Sequence, residues 1–201
     1  RDGVAGFPKL PNVIYMAGKK FGTTGGEPFT WAMNAHVPAL VGEAFAQSRI
    51  VAFSPLCVYP FTDVTGPLCH EDTAPEPVGE YANSCVARER VLQYFSKRHG
   101  TPGRLIRLNY AIDMRYVVLH DIANWVYTGQ LIDLRAGHAN VIWQGDVNAQ
   151  VLRALHHCEV PSRPLNMGGP EQASVRALAG EFGKRFGLAP KFINRESGLG
   201  W

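Results

Sequence analysis

The order of apolar and polar residues predicts an α/β fold, a parallel sheet wound on both faces by helices. Three observations lead there. Short apolar runs of strand length alternate with longer amphipathic stretches, the pattern of βαβ units rather than of a sandwich. The runs are nearly continuous instead of alternating, as in strands covered on both faces. Glycines follow several runs and helices, at 18, 100, 168–169 and 187, where an element has to stop. Right-handed crossovers make such a sheet doubly wound, and ligands bind beyond the carboxyl ends of its strands.

The run 12–18 (NVIYMAG) reads as a first buried strand closed by Gly18. Over 28–47, Trp31, Ala35, Ala39, Leu40, Ala44 and Phe45 recur at helical spacing, with Pro38 expected to distort the helix. A second strand spans 49–53 (RIVAF). The Pro- and Cys-containing segment 54–78 is long for a loop in a compact domain, which marks it as functional or a lid. A charged amphipathic helix follows over 80–99, stopped by Gly100, and then a strand over 104–108 (RLIRL). Further on come a helix over 117–128, strands at 131–134 and 140–144, and a helix over 146–158 with Asp146 as N-cap. A strand at 164–167 ends on Gly168-Gly169, and Ser174 caps a last helix that stops at Gly187. The strands at 12–17, 49–53 and 104–108 are expected side by side in that order.

Composition narrows the function classes. With 20 basic and 17 acidic residues the formal charge is +3. The densest basic spots, Lys19-Lys20 and Arg88-Glu89-Arg90, are too small to argue for nucleic acid. No apolar run is long enough to cross a bilayer, and there is no signal-peptide pattern. Cys57, Cys69, Cys85 and Cys158 lack CxxC spacing and read as reduced thiols of a cytoplasmic protein. His156-His157-Cys158 does not make a metal site, because adjacent helical residues point about 100° apart, so no metal is expected.

Several segments, in order, carry a resemblance. They are IYMAG (14–18), Asn34 on the following helix, FSPLCVY (53–59), GEYANSC (79–85), RLNY (107–110), WQGDV (143–147), and LNMGG (165–169) followed by Ser174-Val175. Together they resemble the extended short-chain dehydrogenase/reductases, the NAD-dependent epimerase/dehydratase family, over roughly residues 12–188. The resemblance implies a Rossmann-like doubly wound parallel sheet with a small C-terminal substrate lobe. Residues 1–115 would be the C-terminal part of the dinucleotide-binding domain. Residues 116–201 would be a mixed α/β region contributing to the substrate lobe and the last sheet strand. It further implies NAD or NADP as cofactor, bound by Ala17, Gly18, Asn34, Ser54, Tyr81 and Tyr110. Tyr81 and Ser54 would be catalytic, and Asn109 and Arg115 would contact a small-molecule substrate. A homodimer is a further expectation. Ala17, Ser54, Tyr81 and Tyr110 should line one cleft, with Asn34 close by.

The departures are as informative. The family's catalytic Ser/Thr position is Pro55, the lysine of its YxxxK motif is Cys85, and its frequent phosphate-binding arginine aligns near Ala139. The Gly-rich phosphate loop and first three strands would lie before Arg1. Without them the strand at 12–18 would have a bare edge, so a further N-terminal segment or a partner strand is expected. The chemistry also needs a cation. A phenol of pKa about 10 must be lowered by about three units to act as a base at neutral pH, roughly 4 kcal/mol. One cation at about 5 Å supplies roughly 3 kcal/mol at an effective dielectric of about 20. Cys85 cannot, whereas Arg88, seven residues beyond Tyr81 on the same helix face, and Lys19, Lys20 and Arg115 are substitutes to consider. Three readings stay open: an atypical NAD(P)-dependent oxidoreductase, epimerase or dehydratase acting on a hydroxylated or sugar-like substrate; a binding or sensor protein that retains a dinucleotide or sugar without turnover; and, third, a purely structural partner subunit.

Overall fold

The structure is a computed structural model and describes residues 6–20, 22 and 24–200. In chain order its strands are β1 (Asn12–Tyr15), β2 (Arg49–Pro55), β3 (Thr62–Asp63), β4 (Gly103–Leu108), β5 (Tyr110–Ile112), β6 (Leu131–Asp133), β7 (His138–Trp143), β8 (Arg163–Met167), β9 (Gln172–Ser174), β10 (Lys191–Ile193) and β11 (Leu199–Gly200). The α-helices are α1 (Glu27–Trp31), α2 (Val37–Ala44), α3 (Gly79–His99), α4 (Val118–Thr128), α5 (Gln144–Ala154) and α6 (Val175–Phe186). The chain divides into two compact units, each assembled from separate stretches of sequence.

The first unit comprises Arg1–Pro60, Glu71–Leu108 and Ala149–Asn166. Its sheet has the order β1-β2-β4-β8. β1 and β2 run parallel with Val13 opposite Ile50, and β2 and β4 run parallel with Ser54 opposite Arg107. The three strands expected side by side are therefore neighbours in the expected order. Tyr15, Ile50, Ala52 and Leu105 form one face with Val41 of α2 and Leu92 of α3. Val51 and Ile106, almost fully buried, alternate onto the other face. The 3-10 turn Leu155–His157 meets β2 and β4, and Arg104 Nε donates to His157 O at 2.8 Å. α2 and α3 approach closely at Gly42, where an added Cβ would fall 2.9 Å from Phe95 Cβ.

The helix expected over 28–47 is three segments. Between α1 and α2 the backbone widens into a π-helix, Ala32–His36, and Val37 N–H bonds Ala32 O. Pro38 follows at once and has no N–H to offer the preceding turn, so the ladder shifts by one residue ahead of it. α3 has its C-cap at Gly100, whose φ of 69° suits glycine. Lys97, Arg98 and His99 fill the last turn, where positive charge is favourable.

The second unit comprises Phe61–His70, Asn109–Asn148 and Met167–Trp201. β5 and β7 pair parallel, and β9 runs antiparallel to β7. β6 and β10 form a separate parallel pair. Ile122 and Val126 of α4, Ile132, Leu134, and Val175 and Ala179 of α6 make its core. The Ser174 side chain accepts from Ala177 N–H at 3.2 Å, the expected N-cap. Asp146 is not a cap: α5 begins two residues earlier, and Asp146 sits in its first turn, where a carboxylate still favours the helix dipole. Strands β5, β9 and β10 are three residues each, too short to show a hydrophobic period in the sequence. Among the described residues no helix is long and apolar enough to cross a membrane.

Leu105, 2% exposed between β2 and α3, should be the sensitive point of the first core. Leu105→Ala is expected to lower stability by about 2–5 kcal/mol in urea unfolding; an unchanged midpoint would place the core elsewhere.

Candidate active site

A buried ion pair anchors the carboxyl ends of the strands. Glu89 of α3 is fully buried and Arg107 of β4 is 2% exposed. Arg107 Nε donates to Glu89 Oε1 at 2.9 Å and Nη2 to Oε2 at 2.7 Å, a bidentate pair. Ser54 Oγ donates to Glu89 Oε1 at 2.7 Å. Arg107 Nη1 reaches Tyr59 Oη at 2.5 Å, and Tyr59 Oη donates to Asn166 Oδ1 at 3.0 Å. α3, β2, β4 and β8 are thereby held in one network.

One and two turns nearer the start of α3 lies a second cluster. Asn34, fully buried in the π-helix, clamps the backbone of Lys19: its Oδ1 accepts from Lys19 N at 2.8 Å and its Nδ2 donates to Lys19 O at 3.1 Å. The same Nδ2 donates to Ser84 Oγ at 3.0 Å. Arg88 Nη2 donates to Asn34 Oδ1 at 2.5 Å, and Arg88 Nη1 to Phe53 O at 2.9 Å. The loop after β1, the π-helix, the end of β2 and α3 therefore converge here.

Tyr81 belongs to this cluster. Its phenol is hydrogen-bonded to Cys85, and burial, with the thiols of Cys85 and Cys57 nearby, holds its pKa well above the ordinary 10.0 while Arg88 pulls the other way. Cys57 lies in the 3-10 turn after β2, and its thiol is pushed up to about 12, chiefly by burial. Burial likewise raises Cys85, opposed by Arg88 and by the hydrogen bond from Tyr81. Tyr15 is raised by burial, again with Arg88 opposing. At neutral pH the phenol and thiols are uncharged.

Among the residues singled out from the sequence, Gly18, Asn34 and Tyr81 meet in this neighbourhood, and Ala17 lies exposed at the end of β1. Ser54 is directed to Glu89, so its hydroxyl serves the ion pair. Asn109, Tyr110 and Arg115 belong to the second unit. There Asn109 Nδ2 donates to Asn140 Oδ1 at 2.8 Å, Tyr110 opens β5, and Arg115 Nε pairs with Asp113 Oδ1 at 2.8 Å. Glu89 and Arg107 went unselected in the sequence, although each leaves a signal: a carboxylate on the Tyr81 face of the helix, and an arginine inside the apolar run RLIRL.

No protein-family model and no curated protein matches the chain. Solved structures do. One is MoeE5 in complex with UDP-glucose and NAD, at 18% identity and a TM-score of 0.79 over 96% of this chain and 68% of that one. UDP-N-acetylglucosamine 4-epimerase from Bacillus cereus is 19% identical, with a TM-score of 0.76 over 98% and 71%. RMD from Pseudomonas aeruginosa complexed with NADPH is 17% identical, with a TM-score of 0.79 over 98% and 76%. The chain has the Rossmann-like α/β fold of these proteins. It spans roughly two thirds to three quarters of their length.

Glu89→Ala leaves Arg107 buried without its carboxylate and should cost about 3–5 kcal/mol in urea unfolding. A loss well under 1 kcal/mol would remove the pair as an anchor. Alkaline pH supplies a second check. Tyr81 and Cys57 are raised in the folded chain, so the unfolded chain ionises first, near the ordinary 10.0 and 9.0. Stability should be level through neutral pH and decline above those values, and Tyr81→Phe should make the decline shallower. An identical pH profile in the variant would mean that the phenol is not shielded.

Proposed function

We propose that the chain carries the tyrosine-bearing part of an NAD- or NADP-dependent oxidoreductase, epimerase or dehydratase acting on a hydroxylated, sugar-like substrate. The observation that supports it most is the placement of Tyr81, a half-buried phenol on α3 beside the turn after β2, in the region where such sheets take their ligands. The residues there fit a hydroxyl-rich, anionic cofactor. Tyr15 Oη and Arg88 Nε are buried without a hydrogen-bond partner among the described residues, and Arg88 is a cation. Ala17, Gly18, Asn34 and Tyr81 are the proposed contacts. Ser54 is left to Glu89, Asn109 to Asn140 and Arg115 to Asp113. Cysteines at 57, 69, 85 and 158 that lack CxxC spacing accord with a cytoplasmic location.

A bound nicotinamide would supply or accept the hydride. Tyr81, held neutral, is suited to give its proton to a carbonyl oxygen as hydride reaches the carbonyl carbon. Taking a proton from an alcohol needs the phenolate, which burial disfavours. The reductive direction is therefore the easier one for this arrangement. Pro55 and Cys85 favour a second reading: neither can supply the hydroxyl and the amine of the resembling enzymes, which suits a protein that binds a dinucleotide or sugar without turnover.

The two readings separate in one experiment. The full-length protein is titrated with NAD and NADPH by calorimetry, then incubated with UDP-glucose or UDP-glucuronic acid while reduced cofactor and epimer are followed by absorbance and NMR. Turnover that falls about 10²–10⁴-fold in Tyr81→Phe is expected. Cofactor binding without turnover would favour the binding protein, and a protein that binds neither the cofactors nor the sugar nucleotides would sink both.

A further inference from the structure

Arg88 is a buried cation with no counter-ion among the described residues. It is 7% exposed, and its guanidinium ends on two neutral acceptors, Phe53 O and Asn34 Oδ1. Its Nε has no hydrogen-bond partner among the described residues. The buried charged side chains described are Arg88, Arg107 and Glu89. Glu89 already forms a bidentate pair with Arg107, so two cations stand against one carboxylate. An uncompensated buried charge is unfavourable by several kcal/mol, and Arg88's own contacts are too few and too neutral to offset it.

Its place on the helix is specific. Cys85 and Arg88 are three residues apart on α3 and share a face. Both side chains end at Asn34: Cys85 Sγ lies 3.9 Å from Nδ2, and Arg88 Nη2 bonds Oδ1. The guanidinium thus reaches the point toward which a long side chain at 85 would extend. Gly18 makes the room. An added Cβ there would fall 2.3 Å from Arg88 Nη2 and 2.9 Å from Asn34 Oδ1.

We propose that Arg88 is the positive charge of this site, carried three residues along α3 from position 85, and that it acts on Tyr81 as a charge-supplying positioning residue. Its meaning for catalysis rests on the reading of Tyr81 given above; the charge itself does not. The groups it faces are Tyr15, Cys57, Tyr81 and Cys85, all neutral at neutral pH, while Glu89 is held by Arg107. A positive charge among uncharged acids favours the anionic form of each, the phenolate or thiolate.

Cys57, half-buried beside Tyr81, reports that field without any turnover. Its alkylation by iodoacetamide at mildly alkaline pH is followed by peptide mass spectrometry in the full-length protein. Arg88→Gln keeps a donor for Phe53 O and Asn34 but removes the charge, and should slow alkylation about two- to threefold, the equivalent of under half a pKa unit, since burial remains the chief influence on this thiol. Arg88→Lys should hold the rate near the unaltered value, and Cys85→Lys with Arg88→Gln should recover it. An unchanged rate in Arg88→Gln, an equal fall in Arg88→Lys, or no recovery in the double variant would overturn the proposal. If Arg88→Gln does not fold, Gly18→Ala, which displaces the guanidinium sterically, is read in its place, with the same fall expected. A protein that turns over no sugar nucleotide yet shows these changes would refute the oxidoreductase reading and leave the Arg88 assignment standing.

Discussion

The structure around the strand ends depends on one carboxylate. Glu89 is shut away from water and can stay there only because Arg107 meets it with two hydrogen bonds and Ser54 with a third. Leaving the carboxylate without these partners in such surroundings would be costly. The requirement fixes where α3 lies along β2 and β4, and with it the position of every residue the helix carries toward the strand ends. Tyr59 and Asn166 extend the same network to the turn after β2 and to β8. Such pairs specify an arrangement more than they add net stability, which is what a site held between four elements needs.

Asn34 performs the matching task on the other side. The π-helix ahead of Pro38 contains it, and its amide holds both backbone groups of Lys19 while touching Ser84 and Arg88. A local irregularity in one helix thus places a buried amide where the loop after β1 and the face of α3 meet. π-helical turns are often found at functional sites, and here the cause is visible in the chain: a proline that cannot donate to the turn before it.

Between these two anchors the chemistry is mostly neutral. Burial raises two tyrosines and two thiols together, so each stays protonated at ordinary pH. Arg88 is the exception. It opposes the rise of the same four groups from among them, against desolvation and, at Tyr81, against the neighbouring thiols.

The fold was legible in the sequence because it rests on pattern. Continuous apolar runs, helical spacing and glycine stops predict β1, β2, β4, α3 and α6 within a few residues, and the parallel order β1-β2-β4 follows from how such units wind. The three-residue strands left no period to read, and the π-helix hid within an ordinary amphipathic stretch. Gly18, Asn34 and Tyr81 could be singled out from their places after strands or on the helices beside them. What Ser54 binds could not, because its partner lies on a helix far along the chain, and only the packing of α3 on β2 turns that hydroxyl toward Glu89. The same holds for Arg88. From the sequence it is one of several basic residues to consider as a substitute for the cation missing at Cys85, with a side chain long enough to point to solvent. Tertiary structure alone buries it against Asn34 and Phe53, because the cost of an unmatched charge depends on which neighbours the fold brings within a few ångströms, and no spacing along the chain encodes that.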